Sequence, residues 1–591
     1  MRLTPPLSPP FVILDDASSP EGRLRRFSAP SAVIAAHEAV AVPAALAALE
    51  AARSAGHYLA GYFAYELGLL LEPKLAALLP AERSVPLLWF GVFGPPEEVN
   101  AAALAQTLSG RAYAGPLAHE WSEADYDARF VRAQDWIKAG DIYQVNLSFR
   151  SRFAFRGDAL ALYLALRGQA GGAHCACLDD GARQVLSLSP ELFFSLAADG
   201  QLTAKPMKGT APRGSNVAAD AEIRAALKAS EKNRAENLMI VDLLRNDLGR
   251  IAEIGSVSVR DLFAVETYPT LHQMVSTVTA KLRPGCDIAT ILKALFPCGS
   301  ITGAPKIRAM QIISALEQSP RGIYCGAIGH IAPDGTAGFN VAIRTLTIAD
   351  GRGELGIGGA VVYDSTAKAE YAECLLKARY YEAVRRPLEL IETLRFEPGA
   401  GFTRFELHLA RMARSAAFLR IPFDRHRGEK VLERAAARAT EPMRVRLTLN
   451  EAGIFAATAA QLGPEARHWR YAVSPRRVLS TDELLRHKIS WRELHDCEHA
   501  RLARDAGADE VLFLNEKGEI AEGARSNVFV RIDGVLYTPP LSAGALDGCL
   551  RRELIDTGQC RECTLLPADL ARADAVFFGN SLRGLVPAVE I

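Results

Sequence analysis

Two kinds of side chain in this sequence are placed to do chemistry: a lysine in a tight loop, and carboxylates spaced to converge. Lys208 sits in Pro206-Met207-Lys208-Gly209-Thr210. An amine attacks only when unprotonated, so cationic neighbours or loss of water must depress its pKa. Glu236 and Glu373 fall in separate helix-like segments, and Glu370 lies one helical turn before Glu373. Carboxylates that converge in this way suit Mg²⁺, which keeps several waters and takes substrate oxygens as its other ligands. An isolated Glu-x-x-Glu is more often a solvated helix face. Arg344 lies in the apolar run Asn-Val-Ala-Ile-Arg-Thr (340–345), which reads as a strand. A buried guanidinium needs an anion, either a ligand carboxylate or a structural acid. Glu191 is flanked by apolar residues, which should raise its pKa and favour the protonated acid. Gly299 and Ser300 precede a Gly-Ala-Pro-Lys helix start (303–306), where backbone N–H groups and a positive helix end favour an anion. Lys377, one turn after Glu373, is a weaker anion-binding candidate. His272 reads equally well as a satisfied structural imidazole and as a catalytic one.

Several elements must position these groups. Residues 121–140 carry apolar residues at helical spacing, with Ser122 as N-cap and Gly140 as the stop. Residues 141–155 alternate as a strand. A helix is expected over 219–240, running into a turn at 241–250, and another over 303–318. Strands are expected at 323–331, 338–348 and 354–363, then a helix over 366–384. Pro387 disfavours helix at the residue before it, and a new pattern begins there, so the domain boundary is placed near 386–390. The domains are expected as 1–385, with an N-terminal lobe over 1–120, and 388–591. At 591 residues the chain is too long for one core. Lys+Arg and Asp+Glu are both 68, which argues against a nucleic-acid surface. The N-terminal stretch has no apolar h-region and reads as no secretory signal. The Ala-rich stretches are broken by Glu, Pro and Arg, so no membrane span is expected. The ten Cys are scattered and favour neither a disulfide framework nor a zinc site. A reducing cytoplasm fits.

The dense motifs resemble the chorismate-utilising enzymes: anthranilate, aminodeoxychorismate, isochorismate and salicylate synthases. They are GYFAYE (61–66), AGDIYQVNLS (139–148), SLSPELF (187–193), PMKGTAPRG (206–214), ENLMIVDLLRNDLG (236–249), TLHQMVS (270–276), PCGSITGAPKIRAM (297–310), YCGAIG (324–329) and GIGGAVVYDS (356–365) followed by EYAECLLKA (370–378). The resemblance implies metal binding by Glu236 and Glu373 with Glu370 close by, and substrate contacts at Arg344, Gly299, Ser300, Lys377, Gln144 and Tyr324. It assigns Glu191 the protonation of the departing 4-hydroxyl. Anthranilate synthases carry Ala where Lys208 stands, whereas aminodeoxychorismate synthase component I carries Lys, with a covalent role implied. Isochorismate and salicylate synthases have Lys in place of Gln144, as the base that activates water. Gln144 cannot take a proton, which favours an amine product. The anthranilate branch has a Glu at Asn233, and many relatives have Gly at Ala360, from which a less open turn is expected.

Residues 388–591 resemble fold-type IV pyridoxal 5′-phosphate (PLP) enzymes, especially aminodeoxychorismate lyase. FELHLARMARSA (405–416), HKISWR (487–492), GADEVLFLNEKGEIAEGARSNVF (507–529), TPPLSAGALDGCLR (538–551) and FGNSLRG (578–584) carry the resemblance. It implies Lys488 as the Schiff-base lysine, Glu522 opposite the pyridine nitrogen and Arg411 on the phosphate. Backbone N–H groups at Ser526-Asn527 and Gly548-Cys549-Leu550 would complete the phosphate cup, with Leu550 where relatives often have Thr. This segment begins directly at Leu-Ile-Glu-Thr-Leu-Arg-Phe (390–396), which puts part of its small subdomain in doubt.

The expected fold is α+β: a two-layered chorismate-binding domain with large antiparallel sheets, then a smaller fold-type IV domain. The expected function is 4-aminobenzoate synthesis for folate. Chorismate and ammonia would give 4-amino-4-deoxychorismate with Mg²⁺, and PLP-dependent loss of pyruvate would follow. No segment resembles a glutamine amidotransferase, so a separate subunit is expected to supply ammonia. The alternative is an anthranilate synthase fused to a branched-chain or D-amino-acid aminotransferase. The oligomeric state stays open; a homodimer through the PLP domain is one form it could take.

Overall fold

The computed structural model describes residues 7–18, 23–268, 271–464 and 467–591, so Thr270 of the TLHQMVS motif lies outside the described residues. The first half is built on two large antiparallel sheets, of eleven and ten strands among the described residues. In the first sheet the long strand Gln144–Gly157 pairs along its length with Arg352–Val361. In the second, Leu271–Lys281 is flanked by Gln201–Lys205, Met207–Pro212 and Ser258–Thr267. Side chains of both sheets meet in one apolar cluster, including Phe11, Ile13 and Phe149 from the first and Phe63, Phe90 and Phe194 from the second. This is the two-layered packing that buries one face of each sheet.

Local sequence accounts for the elements around the site. The helix Glu123–Lys138 opens on a capping box between Ser122 and Asp125, which satisfies otherwise orphaned N–H groups. The single helix expected over 219–240 is instead two, Val217–Ala229 and Glu231–Gly249. Ser230 leaves the helical conformation and caps the second with its hydroxyl, and that helix continues through the expected turn. The last helix is also split, into Ala367–Leu376 and Arg379–Val384. The helix expected over 303–318 covers only Lys306–Leu316, because Gly303–Ala304 pairs with Gln144 and Val145 as a short strand. Ala360 does not close a turn; it lies inside the strand Arg352–Val361, opposite Asn146.

Strand Glu389–Glu397 opens the second half directly after Pro387. It joins Gly401–Phe402, Met443–Asn450 and Phe455–Gln461 in a four-stranded sheet packed against the helices Phe405–Leu419 and Arg425–Ala436. The small subdomain placed in doubt above therefore has four strands and two helices. An eight-stranded mixed sheet follows, in which Trp469–Val478 runs parallel to both Glu510–Asn515 and Gly584–Glu590. Among the described residues no helix is long and apolar enough to cross a membrane.

Candidate active sites

The first constellation gathers around Lys208. It lies on the edge strand Met207–Pro212, beside the helix Glu231–Gly249 that carries Glu236. Burial lowers the Lys208 pKa; Glu236, Glu191 and Glu373 oppose the shift and Lys377 adds to it. These groups therefore share one electrostatic environment. Glu191 is 3% exposed, and burial raises its pKa to about 7, against the hydroxyl of Ser300 and the charge of Lys208. Ser300 donates to Glu191 Oε1 at 2.7 Å. Burial would raise Glu373 too, but Lys377 at 2.9 Å, with Lys208 and Lys232, holds its carboxyl below the ordinary range. Glu370, raised by burial and by Glu373, accepts from the Ser365 hydroxyl at 2.7 Å.

Arg344 is not in a strand. It falls between Ala337–Asn340 and Thr345–Ala349, with φ at +49°, a conformation that is strained for a non-glycine residue. Burial lowers its pKa, yet its guanidinium meets no acid in the protein among the described residues. Gly299 and Ser300 form their own short 3₁₀ turn, Gly299–Ile301, separate from the helix at Lys306. The helix whose positive end was expected behind them starts six residues after Ser300. Lys377 also donates to the Gly358 carbonyl at 2.8 Å. Gln144 is fully buried, and neither atom of its amide has a protein partner. Buried polar groups left in this way are uncommon and suit a bound ligand or water. Tyr324 packs under the Arg150 guanidinium, 5.2 Å from its ring centre, and its hydroxyl meets Ser148. Asn233 bonds back to Ser230.

His272 does not join this group through a free nitrogen. Its Nε2 meets Asp220 at 2.9 Å and its Nδ1 meets Thr267 at 2.9 Å. With both nitrogens engaged it acts as a strut between the strand Leu271–Lys281 and the helix Val217–Ala229, which is the structural alternative. The Ser300–Glu191 bond was missed in the sequence, where the two lie 109 positions apart.

The second constellation lines a cavity of about 480 Å³ in the second half, within the usual range for a small-molecule site. Lys488, Glu522, Arg411, Ser526, Asn527 and Cys549 all line it. Burial, aided by Arg492 and Arg411, lowers the Lys488 amine to about 8. Glu522 is held from two sides, by His495 Nε2 at 2.9 Å and by the Leu546 N–H at 3.0 Å. Arg411 is gripped by Glu392, which accepts from Nε at 2.9 Å and from Nη2 at 2.5 Å. Burial would raise Glu392, but Arg411 and His408 hold it down to about 2. His408 bridges Glu392 and Ser581 at 2.6 and 2.7 Å.

The donor set fits PLP. A buried amine of lowered pKa, an oriented carboxylate and a fixed guanidinium are the groups that cofactor needs. At Gly548 an added Cβ would lie 1.9 Å from Asn527 Oδ1, so only glycine lets these two segments of the expected phosphate cup meet. The side chain of Leu550, however, turns into an apolar cluster with Phe529 and Leu554, leaving only its backbone N–H for an anion. The Ser526 hydroxyl is taken by Glu510, and the Gly548 N–H donates to the Leu546 carbonyl. The cup is thus reduced to fewer donors than expected. Glu392, His408 and His495 were not found from sequence. Glu392 was legible: it shares a strand face with Leu390 and Leu394, both in the core, and a charge on such a face requires a partner.

Comparisons with known proteins agree with this division. A family model for chorismate binding enzyme matches residues 14–382, and one for amino-transferase class IV matches residues 389–591. An aminodeoxychorismate synthase of Streptomyces pristinaespiralis is 48% identical over 243 residues, 41% of this chain and 34% of that protein. Aminodeoxychorismate synthase component 1 of Salmonella typhimurium is 43% identical over 270 residues, 45% of this chain and 58% of that protein. The matches thus span a third to three-fifths of these relatives. The fold resembles that of anthranilate synthase component I from Streptococcus pneumoniae, with a TM-score of 0.52 and 24% identity over 64% of this chain and 93% of that one. The chain belongs to the chorismate binding enzyme family and carries an amino-transferase class IV domain, of the fold-type IV class, in the same polypeptide.

Proposed function

We propose that the chain makes 4-aminobenzoate in two steps, one in each half. The observation that carries the reading is the meeting of Lys208 with Glu191, Glu236 and Glu373 around one locus. In the first step, Arg344 takes one carboxylate of chorismate, and the backbone at Gly299-Ser300 takes the other. Glu191, protonated below about pH 7, gives its proton to the 4-hydroxyl, which leaves as water. Lys208 forms a bond to C2 as the ring double bonds shift. Ammonia then bonds to C4 and expels the lysine amine. Gln144 offers an amide in place of a base, so water is not activated at C2. Mg²⁺, held by Glu236 and Glu373 with Glu370 nearby, would neutralise a substrate carboxylate.

In the second step PLP, when bound, would serve as an electron sink for loss of the C4 proton and of pyruvate. Glu522, fixed by His495, would face its ring nitrogen. Arg411, fixed by Glu392, would face its phosphate. Lys488, with its depressed pKa, is placed to accept and return a proton. A partner amidotransferase subunit is the proposed ammonia source and the cytoplasm the proposed compartment, with pairing of two copies through the second half as a further proposal. The test is product analysis with chorismate, ammonium, Mg²⁺ and PLP. 4-Aminobenzoate with pyruvate is expected. 2-Aminobenzoate as the main product would replace this reading with the anthranilate alternative.

A further inference from the structure

We propose that the first half completes the substrate site of the second by supplying Arg111 as a carboxylate-binding residue, alongside Arg444 and Arg446. The inference rests on the reading of the second step as acting on a dicarboxylate.

Arg111 belongs to the first half. It precedes the strand Ala112–Ala114, which pairs with the end of the strand Gln144–Gly157, and its carbonyl accepts from the Asp158 N–H. Its side chain nevertheless lines the cavity of the second half. Nε donates to Asp482 Oδ2 at 2.6 Å and Nη1 to the Trp491 carbonyl at 3.0 Å. Nη2 has no protein partner among the described residues. The placement is built rather than incidental. An added Cβ at Gly110 would come within 2.9 Å of Asp482 Cα, so the backbones meet there without a side chain between them. The Gly157 N–H donates to Glu483 at 2.7 Å, and Tyr113 packs 6.2 Å, centre to centre, from Trp491. These contacts clamp the stretch 482–491, which carries Lys488.

Across the cavity, Arg444 and Arg446 lie on the strand Met443–Asn450. Successive side chains on a strand alternate between faces, so the two share its exposed face, while Val445 and Leu447 face the core. Neither guanidinium is hydrogen-bonded or ion-paired among the described residues. Of the other lining arginines, Arg411 is held by Glu392 and Arg492 donates to the Ala524 carbonyl, whereas the Arg525 guanidinium has no hydrogen-bond or ion-pair partner among the described residues. Guanidiniums with unused donors, Arg111, Arg444, Arg446 and Arg525, therefore line one cavity, supplied by both halves. Arg111 keeps Asp482 as a counter-ion through Nε, but Arg444 and Arg446 have none among the described residues; guanidiniums left in this way favour an anionic ligand, and the planar fork matches a carboxylate. A substrate with two carboxylates accounts for more than one such group. The cofactor phosphate is the other anion that could use them, and the test separates the two.

The test uses the full chain with Arg111→Gln, Arg111→Lys and Arg444→Gln. Chorismate consumption should be unchanged in all three, while 4-amino-4-deoxychorismate accumulates in the Gln variants. When that intermediate is supplied directly, kcat/KM should fall about 10- to 100-fold in Arg111→Gln, mainly through KM, as for loss of a charge-assisted hydrogen bond. Arg111→Lys should recover part of the loss. PLP affinity and the visible absorbance of the bound cofactor should not move. An unchanged kcat/KM in Arg111→Gln would overturn the inference. So would loss of cofactor absorbance in both Arg111 variants, which would make the residue a scaffold or a phosphate ligand. A wild-type chain that makes the intermediate but no 4-aminobenzoate would sink the lyase reading and this inference together.

Discussion

Replacing Ser300 by Ala tests whether Glu191 is the proton donor, because that hydroxyl makes the one side-chain bond seen to its carboxyl. The Ser300 hydroxyl donates to Glu191 Oε1 at 2.7 Å, and the acid titrates at about 7. A hydrogen bond to a charged acceptor contributes about 1.5–3 kcal/mol and one to a neutral group about 1 kcal/mol. The difference, about 0.5–2 kcal/mol and centred near 1.3, favours the ionised form, and about 1.4 kcal/mol is one pK unit. Ser300→Ala should therefore raise the Glu191 pKa by about one unit, to about 8. The sign follows from the role. A proton donor works below its pKa, so first-step activity is lost as pH rises through that value. In the variant the loss should begin about one unit higher. The substitution keeps the backbone N–H proposed to hold a substrate carboxylate, so KM is not the primary readout. The assay follows chorismate loss across pH, with rates normalised to free NH₃. Glu191→Gln should abolish the alkaline limb along with most of the rate. A limb that stays in place in Ser300→Ala, or moves to lower pH, would refute the assignment of Glu191.

Lys208→Ala should end 4-aminobenzoate formation, and a small yield of 2-aminobenzoate is the expected residue of activity; undiminished 4-aminobenzoate synthesis would remove Lys208 from the chemistry. Lys488→Ala should lose the visible absorbance of bound PLP yet still consume chorismate and accumulate the intermediate, as followed by chromatography. Ammonium at high pH should support turnover by the purified chain and glutamine alone should not, until an amidotransferase subunit is added; robust glutamine use by the single chain would contradict the proposed partner.

The order of the main elements was legible because it rests on local signals, capping residues and alternation, and the candidate site residues were read from dense motifs. What was not legible arises where distant segments meet. Arg344 reads as a strand residue because its neighbours are apolar, but its positive φ is imposed by the break between two strands. The helix break at Ser230 was missed because Ser is tolerated inside helices; here its hydroxyl caps the next helix instead. His272 is ambiguous in sequence because its partners, Asp220 and Thr267, are set by strand and helix packing. Arg111 carries no motif at all. Its position depends on contacts with a segment some 370 residues away.

The join between the halves has a consequence for how the molecule comes apart. Tyr113, from the first half, is 1% exposed and belongs to the apolar cluster of Leu388, Leu394, Leu409 and Trp491 in the second. Arg385 at the connection pairs with Glu451, and Arg420 reaches the Asp350 carbonyl. The core of the second half is thus closed by a side chain that a cut at Pro387 would leave attached to the other fragment. Excised alone, residues 388–591 would expose Trp491 and lose part of an interior rather than shed a tether. Melting of the first half would strip Tyr113 from the core of the second, so the fusion is a shared interior as much as a shared chain.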